Sequence, residues 1–209
     1  MSGIENRRAF LRDGMLLATG IAGGAYLPEL LANFGSVTAH QAAADDKKAK
    51  NASAEQRLRE LGIKLPASPK PVAVYMPAVV SGNMLYASGH GPGSVDGKRI
   101  QGKVGSDLTL EEGYAAARQV GLNVLSTVRA TLGNLDRVVR LVKVLGMVNC
   151  TNDFIKQPQV INGFSELMVD VFGEKNGKAA RSAVGMGSLP GNIPVEIEAI
   201  FEIRSQVTF

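Results

Sequence analysis

The sequence predicts an α+β domain, a mixed β-sheet with two helices on one face. Three observations lead there. Residues 114–132 and 159–172 carry apolar side chains at spacings of three and four, the period of a helix buried along one side. Residues 138–148 are almost wholly apolar and β-branched, as expected of a central strand covered on both faces. The run 195–203 alternates, with Val195, Ile197, Ala199, Phe201 and Ile203 on one side and Glu196, Glu198 and Glu202 among those on the other. With no third helix to cover the second sheet face, that face is expected to be buried against copies of the same chain.

Residues 1–44 read as an address. Arg7-Arg8-Ala9-Phe10-Leu11-Arg12 leads into a glycine-softened apolar run, 14–27, that is shorter than the roughly 20 residues a bilayer-spanning helix needs. Paired arginines, Phe-Leu and a short apolar run make a twin-arginine (Tat) signal, the alternative being a buried amphipathic helix. A Tat signal implies the Tat translocase as a partner during export, a periplasmic or otherwise exported location, and no stable membrane span. Ala42-Ala43-Ala44 offers small residues for cleavage before Asp45. Three basic and three acidic side chains precede that point, so the net charge of +4 belongs to the remainder. Tat export carries folded proteins, and the single cysteine, Cys150, agrees with a fold that uses no internal disulfide.

Residues 45–70 form a linker with a short helix at 54–61, closed by Gly62 and followed by three prolines up to Pro71. The domain proper is 71–209. Its first strands, 72–80 and 84–88, flank Ser81-Gly82-Asn83, a hairpin signal. Residues 89–105 hold six glycines and an Asp-Gly pair, a loop with one short strand near Ile100. Thr109 and Glu112 then form a capping box, each side chain able to satisfy an orphan backbone N–H where the long helix starts. Gly133-Asn134 ends that helix; Pro158 and Gly173 bracket the second. Residues 183–187 and 195–203 are the last two strands.

Composition excludes several chemistries. Two histidines, His40 and His90, and one cysteine cannot supply a His/Cys zinc site or an iron–sulfur cluster, so no metal is expected. A mild charge, 5% aromatic residues and no tryptophan argue against a nucleic-acid partner, whether DNA or RNA. Phosphate-loop, zinc-protease, nucleophile-elbow and Cys-x-x-Cys motifs are absent from the sequence. Gly89-His90-Gly91-Pro92-Gly93 lacks the third glycine of a dinucleotide fingerprint and leads into a loop. Cys150, at a strand end, is either a small buried hydrophobe or a nucleophile. Ala180-Arg181-Ser182-Ala183, with Leu189-Pro190 and Val195-Glu196-Ile197-Glu198 behind it, sets an arginine at the entry of an apolar strand shortly before an acidic one. That arrangement supplies either a forked cation for a substrate carboxylate beside an acid or base, or a structural Arg–Glu bridge.

These residues, with Gly82-Asn83-Met84, Ser88-Gly89 and Val142-Lys143, resemble the RidA family, also called YjgF or L-PSP endoribonuclease, in its chorismate-mutase-like branch, over roughly 71–203. The resemblance implies a homotrimer whose sheets pack inward as a barrel, with sites in the clefts between subunits. It implies hydrolysis of enamines and imines to 2-keto acids and ammonia with no metal or organic cofactor. Matched position by position, Arg181 would grip the carboxylate of a small substrate, Glu196 would position or activate water, and Tyr75 would complete the catalytic set. Ser88, Gly89 and Asn162 would bind substrate. The chemistry is coherent, because a protonated imine is already an electrophile and needs mainly positioning and charge, which a bidentate arginine provides. Ala183 stands where the deaminases usually carry cysteine. His90 stands where they commonly carry glutamine, and is expected either at the cleft rim as a substrate-binding group or as a surface loop histidine. Three functions follow: an exported enamine/imine deaminase, a non-catalytic trimer that binds small carboxylates, and, least favoured by the charge, an endoribonuclease.

Overall fold

Element order in the computed structural model, which describes residues 52–68, 74–95 and 97–205, is α1 (Ala54–Glu60), β1 (Ala78–Ser81), β2 (Met84–His90), β3 (Ser94–Val95), β4 (Lys98–Arg99), α2 (Leu110–Leu132), β5 (Val138–Asn149), α3 (Gln157–Phe172), α4 (Glu174–Gly177), β6 (Ala180–Met186) and β7 (Val195–Ile203). Five strands form one sheet in the order β1-β2-β7-β5-β6, while β3 and β4 make a separate small hairpin. Only β5 and β6 pair in parallel; the other neighbours are antiparallel. The apolar run at 138–148 thus becomes a central strand, and the fold is the mixed α+β sheet expected.

One sheet face is covered by α2 and α3. Leu85, Val144, Val148, Ile197 and Phe201 are buried there against Val124, Leu125, Phe164 and Leu167. The two helices approach closely at Gly163, where a Cβ would lie 2.1 Å from the carbonyl oxygen of Tyr114. The capping box forms as read: Thr109 Oγ accepts from Glu112 N at 3.1 Å, and Glu112 Oε2 accepts from Thr109 N at 2.8 Å. Gly133 ends α2 in the left-handed region, at φ 81°. The β1–β2 hairpin turns through Gly82 and Asn83, with Gly82 at φ 58°, a conformation that glycine adopts without strain.

Several elements differ from the sequence reading. The helix expected in a linker belongs to the domain: Ala54 and Leu58 enter the core, and Glu55 accepts from Leu135 N at 3.1 Å while pairing with Arg129 Nη2 at 2.9 Å. Helix α3 starts two residues earlier than 159, because Pro158 fits its first turn, where a missing N–H costs nothing. Strand β6 starts at Ala180 rather than 183, since parallel pairing with β5 supplies ladder partners for polar residues as readily as for apolar ones. Within the run 72–80, strand geometry is confined to 78–80, and residues 69–73 lie outside the described residues. The Tat signal and its cleavage point also lie outside the described residues. No described helix is long and apolar enough to cross a membrane.

The second sheet face, hereafter the outer face, is covered by none of the described helices. On it Val79, Tyr86 and Val184 are exposed, and Leu145 and Ile200 are half-buried.

Candidate active site

Strand β2 does not keep a simple alternation. It advances three residues, from Ala87 to His90, while β7 moves only from Ala199 to Ile197. The extra residue is a β-bulge at Ser88-Gly89. Without it, His90 would share the outer face with Tyr86. With it, His90 pairs with buried Ile197 and turns toward α2, 6% exposed. Its Nδ1 lies 2.6 Å from the carbonyl oxygen of Ser88 and its Nε2 lies 2.8 Å from Thr127 Oγ1. A carbonyl only accepts, so Nδ1 carries the proton and Nε2 accepts from the threonine hydroxyl. Burial lowers the pKa of the imidazole against the opposing pull of the Ser88 carbonyl, which favours the neutral ring. His90 therefore occupies neither the rim nor a surface loop, as the sequence suggested, but the wall behind the bulge.

Glu196 faces the other way. Its carboxylate lies over Gly89 so closely that a Cβ there would sit 2.1 Å from Oε1. Gly89 thus leaves room for the acid. Partial burial, then the charge of Glu198 two residues on, raise the Glu196 pKa above 4.5. Glu202, the third carboxylate of the strand, is taken by Arg140 at 2.8 Å. Beside Glu196, a cavity of about 330 Å³ is lined by Tyr86, Ser88, Gly89, Lys143 and Glu198, among others. Lys143 Nζ donates to Ser182 Oγ at 3.1 Å. Tyr75 is exposed one residue before Met76, whose carbonyl accepts from Ser88 Oγ at 2.7 Å, so the backbone brings it next to the bulge.

Arg181 belongs to a second cluster. It pairs with Val144 of β5, a residue buried on the helix face, and its Nη1 donates to Asn162 Oδ1 at 2.9 Å and Ser165 Oγ at 3.0 Å, both on α3. The structural Arg–Glu bridge is not what forms. Nη1 is anchored from behind, and the rest of the guanidinium fork has no partner on α3. Asn162 lies on α3 and is brought together with Arg181. Ser165 was missed, although its spacing of three from Asn162 puts both on one side of the helix. Thr127 carried no sequence signal.

The two clusters do not meet within one chain. Glu196 aligns with Met147 and, through it, with Val184, so it lies two strands across and three residues along from Arg181. At about 4.8 Å per strand and about 3.3 Å per residue, their backbones are roughly 14 Å apart, with the side chains on opposite faces. Ser88, Gly89, Glu196 and Tyr75 make up one candidate cluster; Arg181, Asn162 and Ser165 make up the other.

Cys150 is buried, and Gln157 Nε2 donates to its Sγ at 3.6 Å, so it packs as a small hydrophobe. Among the described residues no three His, Cys, Asp or Glu side chains converge to hold a metal.

Comparison with known proteins places this geometry. The family model described as "YjgF/chorismate_mutase-like, putative endoribonuclease" matches residues 55–195. Protein TCP17 of Trypanosoma cruzi is 45% identical over 148 residues, covering 71% of this chain and 92% of that one. A 2-iminobutanoate/2-iminopropanoate deaminase of Dermatophagoides farinae is 28% identical over 143 residues, covering 68% of this chain and 95% of that one. The crystal structure of Atu1372 from Agrobacterium tumefaciens, a protein of unknown function, superposes with a TM-score of 0.66 at 43% identity, over 72% of this chain and 92% of that one. Fold, matched residues and relatives agree, and the chain belongs to the YjgF/RidA/L-PSP family.

Proposed function

We propose that this chain is an exported enamine/imine deaminase that hydrolyses small 2-imino acids to 2-keto acids and ammonia. It works as a homotrimer, without a metal or organic cofactor, and reaches its compartment through the Tat signal at its N-terminus. The observation that carries the activity is the presence of two prepared groups, a guanidinium fixed by Asn162 and Ser165 and a half-buried carboxylate held over Gly89, which a trimer would bring together. The deaminase relative from Dermatophagoides farinae supports the substrate class.

Each group has a defined task. The unanchored edge of Arg181 takes the substrate carboxylate in a fork that lysine could not reproduce. Glu196 accepts a proton from water as the oxygen attacks the imine carbon. The resulting carbinolamine collapses with a proton delivered to nitrogen, so C=N and H₂O become C=O and NH₃. A carboxylate whose pKa is raised binds that proton more readily than an exposed one. Tyr75 borders this half-site, and Ser88 and Gly89 form its floor. Trimer assembly would lay the Arg181 edge of one chain against the outer face of the next, covering Val79, Tyr86 and Val184.

Ammonia release from a 2-imino acid generated in situ by an amino-acid oxidase tests the activity. Wild-type protein should speed it and Arg181→Ala should not; equal rates for the two would end the deaminase reading.

A further inference from the structure

The bulge at Ser88-Gly89 is the surface on which Glu196 rests, and it is tied down from behind by one side chain. His90 Nδ1 donates to the Ser88 carbonyl at 2.6 Å, and the ring is fixed at its other nitrogen by Thr127 of α2, 2.8 Å away. The imidazole is thus a strut between a helix of the core and the peptide that joins Ser88 to Gly89. Both of its nitrogens are used, and it is buried, so it offers nothing to a ligand. On the opposite side of that peptide lies the Glu196 carboxylate, against the Cα of Gly89. A bulge leaves its extra residue outside the ladder, so the local backbone is held less firmly than a regular strand unless another group fixes it.

We infer that His90 is a positioning residue: through Ser88 it sets the bulge that orients Glu196, with Thr127 holding the ring in register. The role rests on the deaminase reading of the site, in that Glu196 is the group positioned for catalysis. A donor is what the position requires. Glutamine keeps an N–H of similar reach, whereas leucine fills the space without one. The strut acts through geometry, so its loss should lower turnover at saturating substrate while leaving the Arg181 grip, and hence KM, almost unchanged.

The test compares wild type, His90→Leu, His90→Gln and the nearly isosteric Thr127→Val, using two readouts. The first is ammonia release from oxidase-generated 2-iminobutanoate. The second is amide hydrogen exchange of residues 84–91, which needs no turnover. His90→Leu should lose about tenfold in kcat with KM within about twofold of wild type, and its bulge amides should exchange faster. His90→Gln should recover most of both, and Thr127→Val should shift both in the direction of His90→Leu. Wild-type kcat and wild-type exchange in His90→Leu would overturn the inference, as would equal losses in the leucine and glutamine variants, since those would reflect packing alone. Should His90→Leu fail to fold, Thr127→Val against wild type carries the comparison: faster exchange supports the strut and unchanged exchange overturns it. If wild type releases ammonia no faster than Arg181→Ala, the deaminase reading falls, and the exchange data still decide whether His90 holds the bulge.

Discussion

Glu196 and His90 sit back to back across the bulge, and their ionisations respond to pH in opposite senses. The folded pKa of Glu196 is raised by burial and by Glu198, so its contribution is fully present below the unfolded value of 4.5 and is lost as pH rises through the folded value. The folded pKa of His90 is lowered by burial, so its contribution is present above the unfolded value of 6.5 and is lost as pH falls toward the folded one. Thermal unfolding across pH 7 to 5 should therefore show a histidine-dependent loss below 6.5 that His90→Gln removes; a variant profile identical to wild type would contradict the burial argument. Arg181 and the alternating acidic strand stand out locally in the sequence, but their choice as candidates came from the family resemblance, the pattern alone leaving a structural Arg–Glu bridge open. The orientation of His90 was not legible, because it depends on one extra residue in β2 whose existence is decided by pairing with β7, more than a hundred residues away.

At the scale of elements, ends were legible and long-range fits were not. The capping box at Thr109 and the left-handed Gly133 are set by neighbours within four residues, so local sequence carries them. The early start of β6 and the docking of α1 depend on partners far along the chain: β5 for the one, Leu135 and Arg129 for the other. Helix packing offers a direct check. Gly163→Ala places a methyl group against the Tyr114 carbonyl oxygen, backbone on backbone, so α2 and α3 must separate. Overpacking of this kind costs about 1–3 kcal/mol. Denaturant unfolding should show a lowered midpoint for Gly163→Ala, and a smaller change for Gly121→Ala, whose new methyl group meets the movable side chain of Leu167. Equal effects would show that the helix contact is not backbone-limited.

At the scale of the whole domain, none of the described helices covers the outer sheet face, and the candidate site is divided between two faces. Val79, Tyr86 and Val184 make the outer face an apolar surface with a cavity beside Glu196, while Arg181 stands at the edge of β6, on the helix side. Both facts are what the proposed trimer would use, and the apolar run 138–148 was the sequence feature from which a covered second face was expected. The resemblance implied a site between subunits, but which candidate falls on which sheet face was not visible, since Arg181 and Glu196 stand only fifteen positions apart. The central claim is that one substrate is held by Arg181 of one chain and hydrolysed with Glu196 of another. Co-expression of Arg181→Ala with Glu196→Gln measures this directly, because each variant alone breaks every cleft, whereas random mixing leaves roughly one cleft in four with both native groups. The mixed oligomer should regain about a quarter of wild-type ammonia release from 2-iminobutanoate; a mixture as inactive as either variant alone would contradict a site shared between chains.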